Sequence, residues 1–386
     1  EVVPFMRKRT AIVHIGLEKT GSTAIQRWLV ANQGSLQAGG VLMPHSLGYP
    51  NHTKLVSACL DYGVVDNIKS HHLFATGLSE EGFRSRVFTN LARELMQAGQ
   101  SWHTLVITSE LISSRLCSAA EINRLAAVVG QYVDHIQFVI FLRRQDQLAL
   151  SRFSSILRSG YGGFADIYVD YSPFNFQRLS DQRLVNDDLF FYDFETILAR
   201  FEGLPNSELE VLFYGSDRPV ETFARLLNLD EGSKQEPQGR HNSALSAKAQ
   251  FVLAQLNKHY PVQFSSGMRN DAYRQLQRQI EREVSGPPRT ISRQSAIDFL
   301  AHYRDGNQRV LSRYARRSSQ GFSDDFSAYP EVVDYSQLPS LVKEQLSHYR
   351  ALAQQVPTEE PLADRLRFKL RRLTTRAKSF AATLLR

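Results

Sequence analysis

Within twenty residues, from Ala11 to Leu29, the chain reads AIVHIGLEKTGSTAIQRWL, an apolar run, a short glycine-bounded loop and an amphipathic stretch. Few folds accommodate that order. Ala11, Ile12, Val13 and Ile15 are β-prone and stop at Gly16, which predicts a buried parallel strand. Ser22 and Thr23 then open a helix whose Ile25, Trp28 and Leu29 share one face. Between them, Gly16-Leu17-Glu18-Lys19-Thr20-Gly21-Ser22-Thr23 brings amides, hydroxyls and a helix N-terminus toward one small volume, which suits a phosphate or a sulfate.

The spacing approaches the Walker A pattern G-x-x-x-x-G-K-[ST] with one departure. Ser22 stands where the lysine belongs, and the loop's own lysine is Lys19. A lysine after the second glycine would reach the β/γ-phosphates of a triphosphate, so its absence argues against an ordinary ATP or GTP enzyme. Glu18 reads as a loop-shaping or solvent-facing residue and His14 as a core one.

Strand and helix signals then alternate, as in an α/β protein. Thr104–Thr108 is a second strand, ending at Ser109-Glu110, and His135–Leu142 (HIQFVIFL) is a third, with Arg143-Arg144 at its carboxyl end. Glu208–Tyr214 is a fourth. Ligands of open α/β sheets sit beyond the carboxyl ends of the strands, which places Glu110 where chemistry would occur. Helices are expected over 80–99, 119–130, from about 146 to Gly160, 189–201, 219–227 and 247–259, with one starting near Asn51 because Pro50 disfavours helix at Tyr49. His52, near that start, could face a cleft or simply be a surface or capping residue. Beyond 260 the chain reads as mostly helical, at about 270–284, 294–317 and 339–355.

Tyr161 to Leu179 is rich in aromatic rings, Gly and Asp without a clean period, suiting either a sugar-binding wall or the packing of a long loop. The formal charge of +7 sits in the tail: Pro361 to Arg386 carries eight basic residues against Asp364, so the body is formally neutral. The high pI therefore does not imply a basic groove for nucleic acid, and no nucleic-acid motif appears. Leu362, Leu366, Leu370, Leu373, Ala377, Phe380 and Leu384 mark one face of a basic amphipathic helix, which could meet an anionic membrane surface, the protein's own body or a second subunit in a homodimer. No run reaches the about 18 apolar residues of a membrane span, and the first residues lack a secretory pattern, so a cytoplasmic location, at most peripheral to the membrane's inner face, is expected. Met6-Arg7-Lys8-Arg9 looks like a natural start. Cys59 and Cys117 have no metal-ligand or disulfide spacing and are expected to be reduced and buried.

Lys19-Thr20-Gly21-Ser22-Thr23 after a buried strand resembles the 5′-phosphosulfate loop of sulfotransferases that use 3′-phosphoadenosine 5′-phosphosulfate (PAPS), in particular the bacterial carbohydrate-type members. Arg143 and Ser151, eight residues apart across a strand end and the next helix, resemble the family's R-x₇-S motif, which holds the 3′-phosphate. The two motifs cover about residues 10–160. The resemblance implies a P-loop-like three-layer α/β fold with a central parallel sheet over 6–260, followed here by a largely helical part over 261–356 and the tail over 357–386. It implies PAPS as donor, 3′,5′-bisphosphoadenosine (PAP) as product, a carbohydrate or glycolipid hydroxyl as acceptor, in-line transfer and no catalytic metal. Lys19, Thr20, Gly21, Ser22 and Thr23 would hold the 5′ end, and a late basic loop would place Arg240 over the nucleotide, although the R-K-G-x-x-G pattern of the cytosolic animal enzymes is missing. Glycan sulfotransferases use a Glu as base and the cytosolic enzymes a His. Glu110 matches the first and His52 could serve as the second, with Glu110 favoured by its strand-end position. A P-loop kinase and a non-catalytic glycan-binding protein are the alternatives.

Overall fold

The computed structural model describes residues 8–160, 162, 191–229, 244–315, 321–362 and 366. Five parallel strands form one sheet in the order β2-β3-β1-β4-β5, with β1 Thr10–Gly16, β2 Val41–Leu42, β3 Thr104–Thr108, β4 His135–Leu142 and β5 Ser207–Phe213. The central β1 pairs with β3 on one side (Ile12 opposite Val106) and with β4 on the other (Ile12 opposite Gln137). The chain therefore reverses its direction of travel across the sheet around β1, and a crevice opens at the carboxyl ends of such neighbouring strands.

Helices cover both faces, which explains the nearly continuous apolar runs of β1, β3 and β4. Ile12, Val106, Val139, Phe141 and Leu212 point to one side, where they meet Ile25, Trp28 and Leu29 of α1 (Ser22–Ala31) and Phe223 and Ala224 of the helix Pro219–Leu226. Ala11, Val13, Ile15, Leu105, Ile107, Phe138 and Ile140 point to the other. That second core continues without a break through Val252, Ile280, Phe299, Val310 and Tyr349, so the helical residues after 244 pack on the same interior as the strands. The α/β class with a central parallel sheet is as expected.

Local chemistry sets most boundaries. After α2 (Gln33–Ala38) come α3 (Thr53–Cys59), α4 (Asn67–Thr76), α5 (Glu80–Ala98), α6 (Leu111–Arg115), α7 (Ala119–Gly130) and α8 (Gln145–Arg158). In α7 the Ser118 hydroxyl accepts from the Glu121 amide and the Glu121 carboxylate returns the bond, a capping box. α5 starts at the Ser79 cap and buries Phe83, Val87, Leu91 and Leu95.

Several expectations are corrected. The helix expected over 189–201 spans Phe194–Ala199, because Asp193 caps it by accepting from the Thr196 amide. The one expected over 294–317 is two, Arg293–Ala301 and Arg304–Tyr314, and that over 339–355 is also two, Leu338–Leu341 and Lys343–Ala353. Cys59 is buried and Cys117 only half-buried, and neither is in a disulfide. Among the described residues no helix is long and apolar enough to cross a membrane. The aromatic segment 161–179, apart from Gly162, and the tail beyond Leu366 lie outside the described residues.

Candidate active site

The carboxyl ends of β1, β3, β4 and β5 deliver four side chains to one cavity of about 470 Å³: Lys19 from the loop after β1, Glu110 two residues beyond β3, Arg143 directly after β4 and Tyr214 directly after β5. The wall is completed by Glu18, Gly21, Ser22, Thr23 and Ala24 and by Ser151, Ser155 and Arg158 of α8.

The loop holds its shape from within. Gly16 and Gly21 have φ of 125° and 96°, and a Cβ on Gly21 would stand 2.8 Å from Pro219 Cγ, so both positions require glycine. Lys19 is itself left-handed, at φ 66°. The Thr20 hydroxyl donates to the Leu17 carbonyl at 2.7 Å and the Ser22 hydroxyl to the same oxygen at 3.2 Å. Thr20 is fully buried and does not line the cavity, so its expected ligand contact is replaced by a structural one. Ser22 reaches the cavity wall with its hydroxyl turned inward, whereas Thr23 is exposed there. α1 has no side-chain cap and no acidic residue in its first turn, and the first amides of a helix carry no intrahelical acceptor. Its positive end therefore meets the cavity without an acidic residue or side-chain cap of its own.

The cations add to that. Burial lowers the Lys19 ammonium below the usual lysine range, and the neighbouring Arg158 and Arg143 push the same way against the weaker pull of Glu18 and Glu110. Arg143 donates from Nη1 to the Lys19 carbonyl at 3.1 Å and lies over the Tyr214 ring at 5.0 Å, while its buried Nε has no hydrogen-bond partner. Arg158 is ion-paired with Glu281 at 2.9 Å. Ser151, Ser155 and Arg158 repeat at four and three residues, the spacing of one helix face. A cavity lined by Lys19, Arg143, a helix N-terminus and serines is built to take an anion carrying more than one charge.

Two acidic groups, Glu110 and Glu18, share the wall with them. Glu110 Oε2 accepts from Gln26 at 3.0 Å and Oε1 from Asn51 at 3.0 Å. Burial raises its pKa, as does Glu18, against the two amide donors. Glu18 is neither solvent-facing nor free: Ser114 donates to it at 2.7 Å and Arg152 lies 3.7 Å away. Although its burial acts to raise the pKa, Arg152, Arg115 and the Ser114 bond outweigh that and hold it below the usual carboxylate range.

His52 is corrected outright as a candidate base. It is fully buried outside the cavity wall, its Nδ1 accepts from the Thr108 amide at 2.9 Å, and its Nε2 donates to the Pro44 carbonyl at 2.9 Å. With both ring nitrogens engaged in the neutral form, burial pushes its pKa down to about 4. His14 is in the core as expected, bonded to the Thr108 hydroxyl and pushed down to about 3 by burial. Arg240 lies outside the described residues. Ser155, Arg158 and Tyr214 are wall residues that the sequence reading missed; the helical spacing from Ser151 and the strand-end rule at β5 were the signals for them. Comparison of the chain with protein-family models, with curated proteins and with solved structures gives no match.

Proposed function

We propose that the protein is a sulfotransferase that moves a sulfuryl group from PAPS to a hydroxyl of a carbohydrate or glycolipid, within a P-loop-like α/β fold. The observation that carries this reading is the presence of Lys19, Arg143 and Ser151, from two motifs far apart in sequence, on the wall of one cavity that also holds the carboxylate of Glu110. The unpartnered Arg143 Nε, the Lys19 ammonium and the uncapped end of α1 fit a donor that is anionic at both ends. When bound, the donor supplies the activated sulfuryl group on its 5′-phosphate.

The chain's own residues do the rest. Lys19 and the amides at the start of α1 stabilise the negative charge that builds on the transferring and bridging oxygens, the kind of contribution typically worth 10²- to 10³-fold in rate per donor. Arg143 and Ser151 hold the 3′-phosphate and thereby orient the other end for in-line attack. Glu110 accepts the acceptor's hydroxyl proton as the oxygen–sulfur bond forms and the bond from sulfur to the 5′-phosphate oxygen breaks, the electron pair leaving with the phosphate. A raised pKa makes Glu110 the stronger base for that step.

The test is thermal denaturation of the full chain with PAP and, separately, with ATP and Mg²⁺. Stabilisation by PAP at concentrations where ATP–Mg²⁺ has no effect is the expected result. A shift with ATP–Mg²⁺ alone supports a kinase instead, and a shift with neither removes the nucleotide reading.

A further inference from the structure

Glu110 is held by a frame that the sequence reading did not contain. Gln26 reaches one carboxylate oxygen from α1 and Asn51 the other from the turn before α3, so the plane of the carboxylate is fixed from two sides. The Asn51 amide is oriented from both sides. Its Oδ1 accepts from the buried Ser109 hydroxyl at 2.7 Å, which leaves Nδ2 to face Glu110. The turn itself is clamped to β3: the His52 amide donates to the Thr108 carbonyl at 3.0 Å while the Thr108 amide donates to the His52 ring. Each carboxylate oxygen keeps a second lone pair, so the frame leaves room for an acceptor hydroxyl.

We propose that Asn51 is a positioning residue for Glu110, holding the carboxylate in the orientation and the ionised form needed to take a proton from the acceptor. This deepens the sulfotransferase reading and rests on it for the proton's source, but the frame is a property of the protein without ligand. The other charged groups around Glu110 are Glu18, which opposes its ionisation, and Lys19, Arg143 and Arg158 on the cavity wall. Gln26 and Asn51 are the amide donors that favour the carboxylate.

The experiment titrates Glu110 directly. The carboxyl stretch of the ligand-free full chain is followed by infrared difference spectroscopy against pH, with Glu110→Gln identifying the band. Asn51→Ala removes one donor and is expected to raise the midpoint by about one pH unit. Asn51→Asp keeps an acceptor for Ser109 but sets a second carboxylate against Glu110, and is expected to raise the midpoint further. Ser109→Ala, which only frees the Asn51 amide to rotate, serves should either variant fail to fold, with a smaller shift in the same direction. A midpoint that stays at the wild-type value in the folded variants overturns the proposal. PAP binding is measured beside it by calorimetry. Wild-type PAP affinity in Asn51→Ala, together with the moved midpoint, is expected; absence of PAP binding to the wild-type chain defeats the sulfotransferase reading while leaving the frame to stand or fall on its own titration.

Discussion

Arg143 and Arg144 are consecutive residues at the end of one strand, yet they live in opposite electrostatic circumstances. Arg144 is 4% exposed and fully matched: Nε and Nη2 bond the two Asp146 oxygens at 2.8 and 2.9 Å, Nη1 meets the carbonyls of Ser323 and Asp325, and the guanidinium lies over Phe326. Tyr329 adds its hydroxyl to Asp146 at 2.5 Å. Arg143 has one carbonyl, one ring face and a bare Nε. The alternation of a strand sends one guanidinium to fasten the 321–329 segment to β4 and the other to the cavity. At these two positions the fully answered charge is structural, and the one left short of partners lines the cavity. The same division separates His52, with both ring nitrogens engaged, from Glu110, which keeps lone pairs to spare.

The largest effect expected from breaking this division is on stability, at Arg144. Arg144→Ala leaves the Asp146 carboxylate buried without its bidentate partner, and removing one partner of a buried pair costs about 3–5 kcal/mol. Denaturant unfolding of the variant should show that loss. Arg144→Leu combined with Asp146→Leu should recover part of it, because no orphaned charge remains. If Arg144→Ala is as stable as wild type, the segment is held by something other than this pair.

Acid sharpens the division at the second couple. The His52 pKa of about 4 lies below its unfolded value of about 6.5, so below pH 6.5 the unfolded chain takes up the proton and the folded one does not. Stability is therefore lost as pH falls from about 6.5 toward 4, by about 3 kcal/mol from this residue, and no further below that. His52→Gln, which cannot titrate, should be less stable at neutral pH but should flatten the slope of unfolding free energy between pH 6.5 and 4. An unchanged slope means that His52 is not neutral in the folded chain.

How much of this could be read from the sequence follows from how local each cause is. Strands β1, β3 and β4 were legible because runs buried on both faces are apolar throughout, and α7 because Ser118 and Glu121 announce its start. α4 was missed although Asp66 caps it and Gly77 ends it in a left-handed conformation, since its ten residues carry no apolar stripe. In the site, Glu110 was legible from the rule that strand ends carry chemistry, Lys19 from the glycine-bounded loop after β1, and Arg143 from its resemblance, with Ser151, to the R-x₇-S motif. The roles of Arg144 and His52 were not, because partners that define them are far along the chain: the Ser323 and Asp325 carbonyls are 179 and 181 residues from Arg144, and Thr108 is 56 from His52. The inward turn of the Thr20 hydroxyl depends on the loop's path, which residue types alone do not fix.

The smallest effect is the one that separates the two arginines most cleanly. Arg143 is buried enough for desolvation to lower its pKa, and it sits close enough to Lys19 to lower that group's pKa as well. In the free protein its charge is a burden that the Lys19 carbonyl, the Tyr214 ring and the nearby Asp146 relieve only in part, and Arg143→Ala should leave unfolding free energy nearly unchanged. Under the proposed function the balance should reverse with PAP: losing hydrogen bonds from a charged group costs about 1.5–3 kcal/mol, or roughly ten- to a hundredfold in affinity by calorimetry. Arg143→Lys should recover only part of that, because a point charge lacks the planar fork that matches a terminal phosphate. A variant that binds PAP normally but unfolds easily would make Arg143 a structural residue like its neighbour, and the distinction between the two guanidiniums would disappear.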